Sequence, residues 1–457
     1  DGLDIAKGDF PFTHHPIIKF EFAQSEIRNA DDLRAYINKT LDDTAAEYGI
    51  SLNHQRYDFK LVELVKALKR KQGENVVLLV DEYDKPILNT LETPELADVK
   101  IAMNVFYASI KSLDDYLRFV FITGVSKFAK VSVFSGMNNL NDISMDRAYA
   151  TICGYTKDEL VHYFDGAIDA LCQQLAYQQP GTDTDTNKKS TYKKIEQWYN
   201  GYRFAESNES VYNPFSILSL LLKQNFDNYW FETATPTFLI ERIKAKDYAI
   251  NQLDNLRLSK MGLKASEPEK TSIQALLVQT GYLTIKSWTD SLYQLDFPNK
   301  EVHDAFYNVI VENYAHIDDG IAPVHIEDLG VAFRERDINT AFTILKIFFA
   351  SIPYDISIKQ EKYYQSIFFA IFKLLGINIE VEVTTNVGRI DCVIQTKDSI
   401  FILEFKLNGT KEQALQQIKD KGYAQKYLGA DKQIILLGVA FDAEQRNIGD
   451  WIEEHIV

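Results

Sequence analysis

The sequence predicts an α/β protein in three parts: a parallel-sheet domain, a helical middle with a winged-helix-like unit, and a compact mixed α/β domain. Three observations carry this. In residues 1–150, apolar strand runs alternate with helical segments, the signature of a parallel sheet with crossover helices. The middle of the chain carries mainly helical apolar spacing. Residues 359–439 read helix, three strands, helix, strand. A chain of 457 residues allows about three domains at ~150 residues each. Its 46% hydrophobic and 25% charged residues are ordinary for globular protein and exclude general disorder.

Ile17–Phe22 alternates apolar and polar residues and is a strand. Asp31–Tyr48 and Phe59–Lys71 space their apolar residues by three and four and are helices. Val76–Val80 is a continuous apolar run, the pattern of a strand buried on both faces. A long helix, Pro94–Leu117, precedes a second buried strand, Arg118–Thr123. The polar, Gly- and Pro-bearing stretch Gln178–Lys194 is expected to be a surface loop. Phe215–Leu258 is mainly helical.

Ile273–Ile285 runs from helix into strand, Tyr293–Phe297 is a second strand, and Val302–Tyr314 is a helix. That order fits a small winged-helix-like unit, or equally an α/β patch packing two domains together. Asp328–Ile352 is a helix pair and Lys359–Leu375 an amphipathic helix. The strands Ile379–Val383, Ile390–Gln395 and Ile400–Leu407 follow, then the helix Lys411–Tyr427 and the strand Gln433–Val439. The expected boundaries are 1–150, 151–330 and 331–457.

Lys and Arg total 49 against 65 Asp and Glu, a formal charge of −16. A protein that coats nucleic acid needs a basic surface, so this balance argues against a histone-like or single-strand-coating role, though not against an enzyme with one basic groove. Cys153, Cys172 and Cys392 are isolated, fit no metal-ligand spacing, and indicate a reducing, cytoplasmic setting. The longest apolar runs, Ser366–Leu375 and Gln433–Phe441, are far short of the ~18 residues that span a bilayer. No leader pattern opens the sequence, and no membrane partner is expected.

Two sets of residues carry chemistry. In VVLLVDEYDKP, Asp81 and Glu82 stand at the C-terminal end of a buried strand, where open α/β sheets bind ligands. In a P-loop ATPase this is the Walker B position, where Asp holds Mg²⁺ and Glu orients the attacking water. The alternative is an ordinary strand end with solvated acids and a turn at Pro86. The phosphate-cradling G-x-x-x-x-G-K-[ST] occurs nowhere in this sequence, so the ATPase site is incomplete as given.

The second set is Asp391 with Glu404 and Lys406. A hairpin between GRIDCVI and IFILEFKL brings the three together, and Ile402, Glu404 and Lys406 share one strand face. Two adjacent carboxylates bind a hard divalent cation, and a nearby Lys stabilises developing charge. This is the D-x(n)-E-x-K arrangement of metal-dependent nucleases. Glu380 and Glu382 on the preceding strand, Glu361 at a helix start and Gln417 on the following helix lie within reach. The alternative is a solvated sheet face with cross-strand Glu–Lys pairs, but charged residues inside so apolar a run are costly without a role. The chain has no H-E-x-x-H, G-x-S-x-G or C-x-x-C, and His14-His15 is a loop pair.

VVLLVDEYDKPIL, FVFITGVSKFAKVSVFSGMNNLNDIS, ICGYTKDEL and WYNGYRF closely resemble the AAA-ATPase-like family common in bacteria. EKYYQSIFFAIFKLLG, EVEVTTNVGRIDCVIQ, IFILEFKL and ALQQIKDKGYAQKY resemble the PD-(D/E)XK nuclease-superfamily domain at the C-terminus of such proteins. The resemblance implies a P-loop NTPase-like first domain lacking Walker A and a restriction-endonuclease-like last domain. It implies Asp81 and Glu82 as the Walker B pair, Thr123 as the sensor position and Arg203 as a trans or sensor arginine. It implies Asp391, Glu404 and Lys406 as the nuclease core, with Gln417 following and Glu361 or Glu382 completing the metal site.

The cofactors implied are Mg²⁺ or Mn²⁺, and ATP if the P-loop segment that family members carry N-terminal to the first strand is present in the full-length protein. The expected function is an ATPase-coupled, metal-dependent nuclease acting on nucleic acid, DNA first, with homo-oligomers allowed for. The alternative is a non-cleaving, nucleotide-regulated binding protein with a degenerate nuclease fold.

Overall fold

The computed structural model describes residues 4–456 except 92, 126–132, 135–136, 138, 179–183, 231–236, 247, 249, 254–255, 264–270, 316–321, 351–360, 385–388, 408, 443 and 446. Much of the loop after Thr123 and Gly388 of the GRID motif therefore lie outside the described residues. The chain divides into two compact units: 1–149 with 258–283 and 288–293, and 150–257 with 284–287 and 294–457.

The first unit is built on β1 (Ile17–Glu21), α1 (Ala30–Glu47), α2 (Tyr57–Gln72), β2 (Val76–Asp81), α3 (Lys85–Thr90), α4 (Leu96–Lys111) and β3 (Leu117–Ile122). Local signals set the helix ends. The Asn29 side chain accepts from the backbone N–H groups of Asp31 and Asp32 at 2.9 Å and caps α1. Gly73, at φ +80°, ends α2 in the left-handed region. The strands form a parallel sheet in the order β1-β2-β3. Both crossovers step the same way across it, so the right-handed rule puts their helices on one face. Ile18, Phe20, Leu78 and Val80 are buried on that face.

The other face corrects an expectation. Apolar runs predicted strands buried on both sides, but Phe119 is 54% exposed and Phe121 38% exposed. Their rings stack at 5.9 Å beside half-buried Val77 and Leu79 and exposed Ile17. An apolar run reports that a strand forms; what covers it depends on where the crossovers lie. The predicted helix Pro94–Leu117 also stops at Lys111, and a 3₁₀ turn at Asp114–Tyr116 leads into β3.

The second unit starts with α5 (Lys157–Gln178), α6 (Thr184–Tyr199), α7 (Pro214–Lys223) and α8 (Thr237–Ala245). The polar stretch expected as a loop, Gln178–Lys194, is mostly the start of α6. Its Tyr192 and Lys188 meet Asp165 on α5, partnerships that make a polar segment helical. The chain continues with α9 (Ile273–Gln279), which belongs to the first unit, then β4 (Thr284–Trp288), β5 (Leu292–Asp296) and α10 (Lys300–Ala315). This is the order expected of a winged-helix-like unit, but its residues are divided between the two units instead of forming one of their own.

A buried carboxylate staples α7 to α10. The Ser216 hydroxyl donates to Glu301 at 2.8 Å and the Trp230 backbone N–H donates at 2.9 Å. Burial is the main cause that pushes Glu301 up to about 7. A carboxyl raised above its ordinary 4.5 contributes stability that is full below about pH 4.5 and lost as pH rises through about 7. Glu301→Gln should therefore remove part of the fall in urea midpoint between pH 5 and 7.5. Parallel pH profiles for the two proteins would contradict this.

The unit ends with α11 (Ala322–Glu335), α12 (Ile338–Ala350), α13 (Glu361–Leu374), β6 (Asn378–Thr384), β7 (Arg389–Gln395), β8 (Ser399–Leu407), α14 (Lys411–Asp420), β9 (Gln433–Asp442) and β10 (Asn447–Ile456). The five strands form one mixed sheet in the order β10-β9-β8-β7-β6, with β8 and β9 parallel and the other pairs antiparallel. The predicted helix Lys411–Tyr427 breaks at Gly422, which is left-handed, and resumes as a 3₁₀ turn at Tyr423–Tyr427. The final strand β10 was not predicted, because NIGDWIEEHI reads as polar. Trp451 earns it a place by stacking on Phe342 of α12 at 5.1 Å. Among the described residues, no helix is long and apolar enough to cross a membrane.

Candidate active site

The last unit assembles its site from the β7–β8 hairpin and α14. The register pairs Cys392 with Leu403, so Asp391 lies opposite Glu404. The Phe405 backbone N–H donates to Asp391 Oδ2 at 2.8 Å and fixes that carboxylate. Ile402 packs with Leu415 and Ile418 of α14, whereas Phe405 meets Phe368 of α13 at 5.6 Å, so the two strand faces divide as the alternation predicts.

Gln417 joins the pieces. Lys406 Nζ donates to its Oε1 at 2.5 Å, and its Nε2 donates to Glu404 Oε1. One amide thus holds both the Lys406 ammonium and the Glu404 carboxyl. Lys406 Nζ also lies 3.7 Å from Glu404 Oε1. Glu404 is 2% exposed, and its Oε2 has no hydrogen-bond partner among the described residues. Burial first, then the neighbouring Asp391 charge, pushes Glu404 up to about 7. An orphaned carboxylate oxygen beside a second carboxylate is a donor set that fits a hard divalent cation.

Asp391, Glu404, Lys406 and Gln417 line one cavity of about 420 Å³. Glu382 lies on β6 between the pairs Val381–Cys392 and Val383–Ile390, and Glu361 opens α13. The side chains of both lie outside the described residues. Among the described residues, no three His, Cys, Asp or Glu side chains gather into a metal site.

Gly438 shapes the surroundings of Glu404 and was not singled out from the sequence. It pairs with Glu404 across β8–β9, and a Cβ placed there would lie 2.3 Å from the Lys411 carbonyl oxygen and 2.6 Å from the Leu415 nitrogen. Only glycine lets α14 approach closely enough to deliver Gln417. A glycine inside an otherwise apolar strand was the available signal. Two lysines of α14 are held by ion pairs. Lys411 pairs with Asp450 and Lys419 with Glu454, both at 2.5 Å, through carboxylates of the unpredicted β10.

In the first unit, Asp81 ends β2 and accepts from Thr123 Oγ1 at 2.5 Å and from the Glu82 backbone N–H at 3.1 Å. Glu82 sits at φ +50°, a left-handed conformation that costs a non-glycine residue ~1–2 kcal/mol. Such strain gathers where geometry serves a site. Asp84 is buried and accepts from the Val125 N–H at 3.2 Å, holding together the loops after β2 and β3. These residues fit the metal side of a nucleotide site. The phosphate-cradling motif is not in the sequence, so no step through ATP follows from the residues present. Arg203 belongs to the other unit, where its guanidinium donates to the carbonyls of Ile285 and Lys286.

The model of a family described as predicted AAA-ATPase matches residues 1–134, and the PD-(D/E)XK nuclease superfamily model matches residues 359–451. The chain is 36% identical over 456 residues to an uncharacterized protein in the vnfD 5' region of Azotobacter chroococcum, covering 97% of this chain and 84% of that protein. No solved structure matches.

Proposed function

Since the chain belongs to the AAA-ATPase-like family and carries a PD-(D/E)XK nuclease-superfamily domain, we propose that it is a metal-dependent nuclease joined to a nucleoside-triphosphatase-like module. The observation that supports this best is the convergence of Asp391, Glu404 and Lys406 on one cavity, with a buried Glu404 oxygen left for a ligand. Asp391 and Glu404 would hold Mg²⁺ or Mn²⁺, which when bound polarises a phosphodiester and activates water. Lys406 then offsets negative charge developing on the phosphate oxygens, and Gln417 keeps Lys406 and Glu404 in register. Glu382 and Glu361 are proposed as further ligands, and DNA is the first substrate to try.

In the first unit, Asp81, Glu82 and Thr123 would serve the metal and water side of nucleotide hydrolysis, with Arg203 a proposed sensor. Division at residues 150 and 330 is part of the same proposal, with a winged-helix-like unit in the middle part. With Mg²⁺ or Mn²⁺ the chain should cut oligonucleotides, and Asp391→Ala should lose at least about a thousandfold. Gel assays on DNA and RNA test this, and equal inertness of both proteins on every substrate would sink it. A second reading, a non-cleaving regulatory protein, draws on the lack of three clustered metal-ligating side chains among the described residues. It expects that inert outcome.

A further inference from the structure

A cross-strand row leads from the site to the edge of the sheet. Lys406 on β8 pairs with Ala440 on β9, and Ala440 pairs with Asp450 on β10. Paired residues project from one face, so Lys406 and Asp450 flank Ala440, two strand spacings or ~10 Å apart. α14 packs on this face, against Gly438. Its first residue, Lys411, reaches Asp450 Oδ2 at 2.5 Å. A second cation therefore stands near Lys406 on the same face of the sheet.

The hold on Lys411 is exchangeable. Asp450 is 63% exposed, and its other oxygen accepts from the Trp451 backbone N–H at 2.9 Å. It keeps that partner, and meets water, when Lys411 leaves. Exposed ion pairs of this kind contribute little to stability. A phosphate offers Lys411 the same kind of acceptor, an anionic oxygen.

Lys419 supplies an internal comparison. It also joins α14 to β10, pairing with Glu454 at 2.5 Å. Glu454, however, ends the row of Ile402 and Leu436, two rows or ~13 Å from the row of Lys406. Ile402 and Leu436 are core residues beneath α14. The two ion pairs match in chemistry and differ in distance from the site.

We propose that Lys411 binds a phosphate flanking the scissile one, and that Asp450 stands in for that phosphate in the free protein. The inference rests on the nuclease reading of Asp391 and Glu404. Its test compares Lys411→Gln with Lys419→Gln, and Asp450→Asn with Glu454→Gln, in the full chain. Each comparison holds net charge equal. Every substituted side chain is partly exposed, so the four variants keep the fold.

Affinity is read by fluorescence anisotropy of a labelled oligonucleotide, single-stranded and duplex, in Ca²⁺; cleavage is read in Mg²⁺. Lys411→Gln should weaken binding about tenfold and lower the slope of log Kd against log salt by about 1. In cleavage the loss should fall on KM, because Lys411 does not touch the scissile phosphate. Asp450→Asn should tighten binding about threefold or more, since a competing anion is gone. Lys419→Gln and Glu454→Gln should stay within about twofold of wild type at physiological salt. Equal affinities and salt slopes for the two lysine variants would overturn the inference, as would equal affinities for the two carboxylate variants.

The nuclease reading fails separately. If wild type cuts nothing while Lys411→Gln remains the weaker binder, the nuclease is rejected and the Lys411 contact stands. Asp391-dependent cleavage with the two lysine variants alike does the reverse. Absence of oligonucleotide binding overturns both.

Discussion

Glu404→Gln should make the chain more stable at pH 8 while removing at least about a thousandfold of its metal-dependent cleavage. The two effects share one cause. Glu404 is almost fully buried, its Oε2 lacks a hydrogen-bond partner among the described residues, and Asp391 lies beside it. Its carboxyl titrates near 7 in the folded chain, against an ordinary 4.5. The folded state therefore holds this proton more tightly than the unfolded state. That stability is complete below about pH 4.5 and is lost as pH climbs through about 7.

At pH 8 the ionised group costs up to about 3 kcal/mol, which the neutral amide avoids. Millimolar Mg²⁺ should restore wild-type stability at pH 8 and leave the variant unmoved, because a ligand that binds only the folded state stabilises it. Urea titrations at pH 5 and pH 8, with and without Mg²⁺, measure this. Equal midpoints for both proteins at pH 8 would mean that burial does not set the protonation of Glu404.

Gly438→Ala is the second large effect. The added methyl meets the backbone of α14 at Lys411 and Leu415, and backbone cannot rotate away as a side chain can. Overpacking of this kind costs about 1–3 kcal/mol. A helix pushed outward also withdraws Gln417 from Lys406 and Glu404. Cleavage should fall about tenfold or more, with the loss in kcat because the substrate cavity itself remains. Gln417→Ala should give a similar kinetic loss at near-normal stability. If Gly438→Ala lowers stability yet leaves kcat intact, Gln417 does not position the site.

These residues mark what the sequence could disclose. Asp391 and Glu404 were legible because hairpin length and strand alternation are local rules, and the register keeps them. Gly438 was not, because its meaning depends on a helix that packs from elsewhere. The exposure of Phe119 and Phe121 was hidden for the same reason: it depends on which face the crossover helices cover. Strand β10 escaped notice because its polar residues face lysines of α14, Asp450 toward Lys411 and Glu454 toward Lys419, and such pairing carries no sequence periodicity. Helix α6 was obscured by loop-forming residue types at its start.

The open face of the β1-β2-β3 sheet also bears on how these molecules behave in numbers. Ile17, Phe119 and Phe121 offer water a flat apolar strip, which attracts other such strips at short range. The charge of −16 repels other molecules at longer range. Salt weakens only the second force, shortening its reach to ~8 Å at physiological ionic strength. Colloidal stability in this protein is therefore a contest that dilute buffer decides for dispersion and added salt tilts toward clustering.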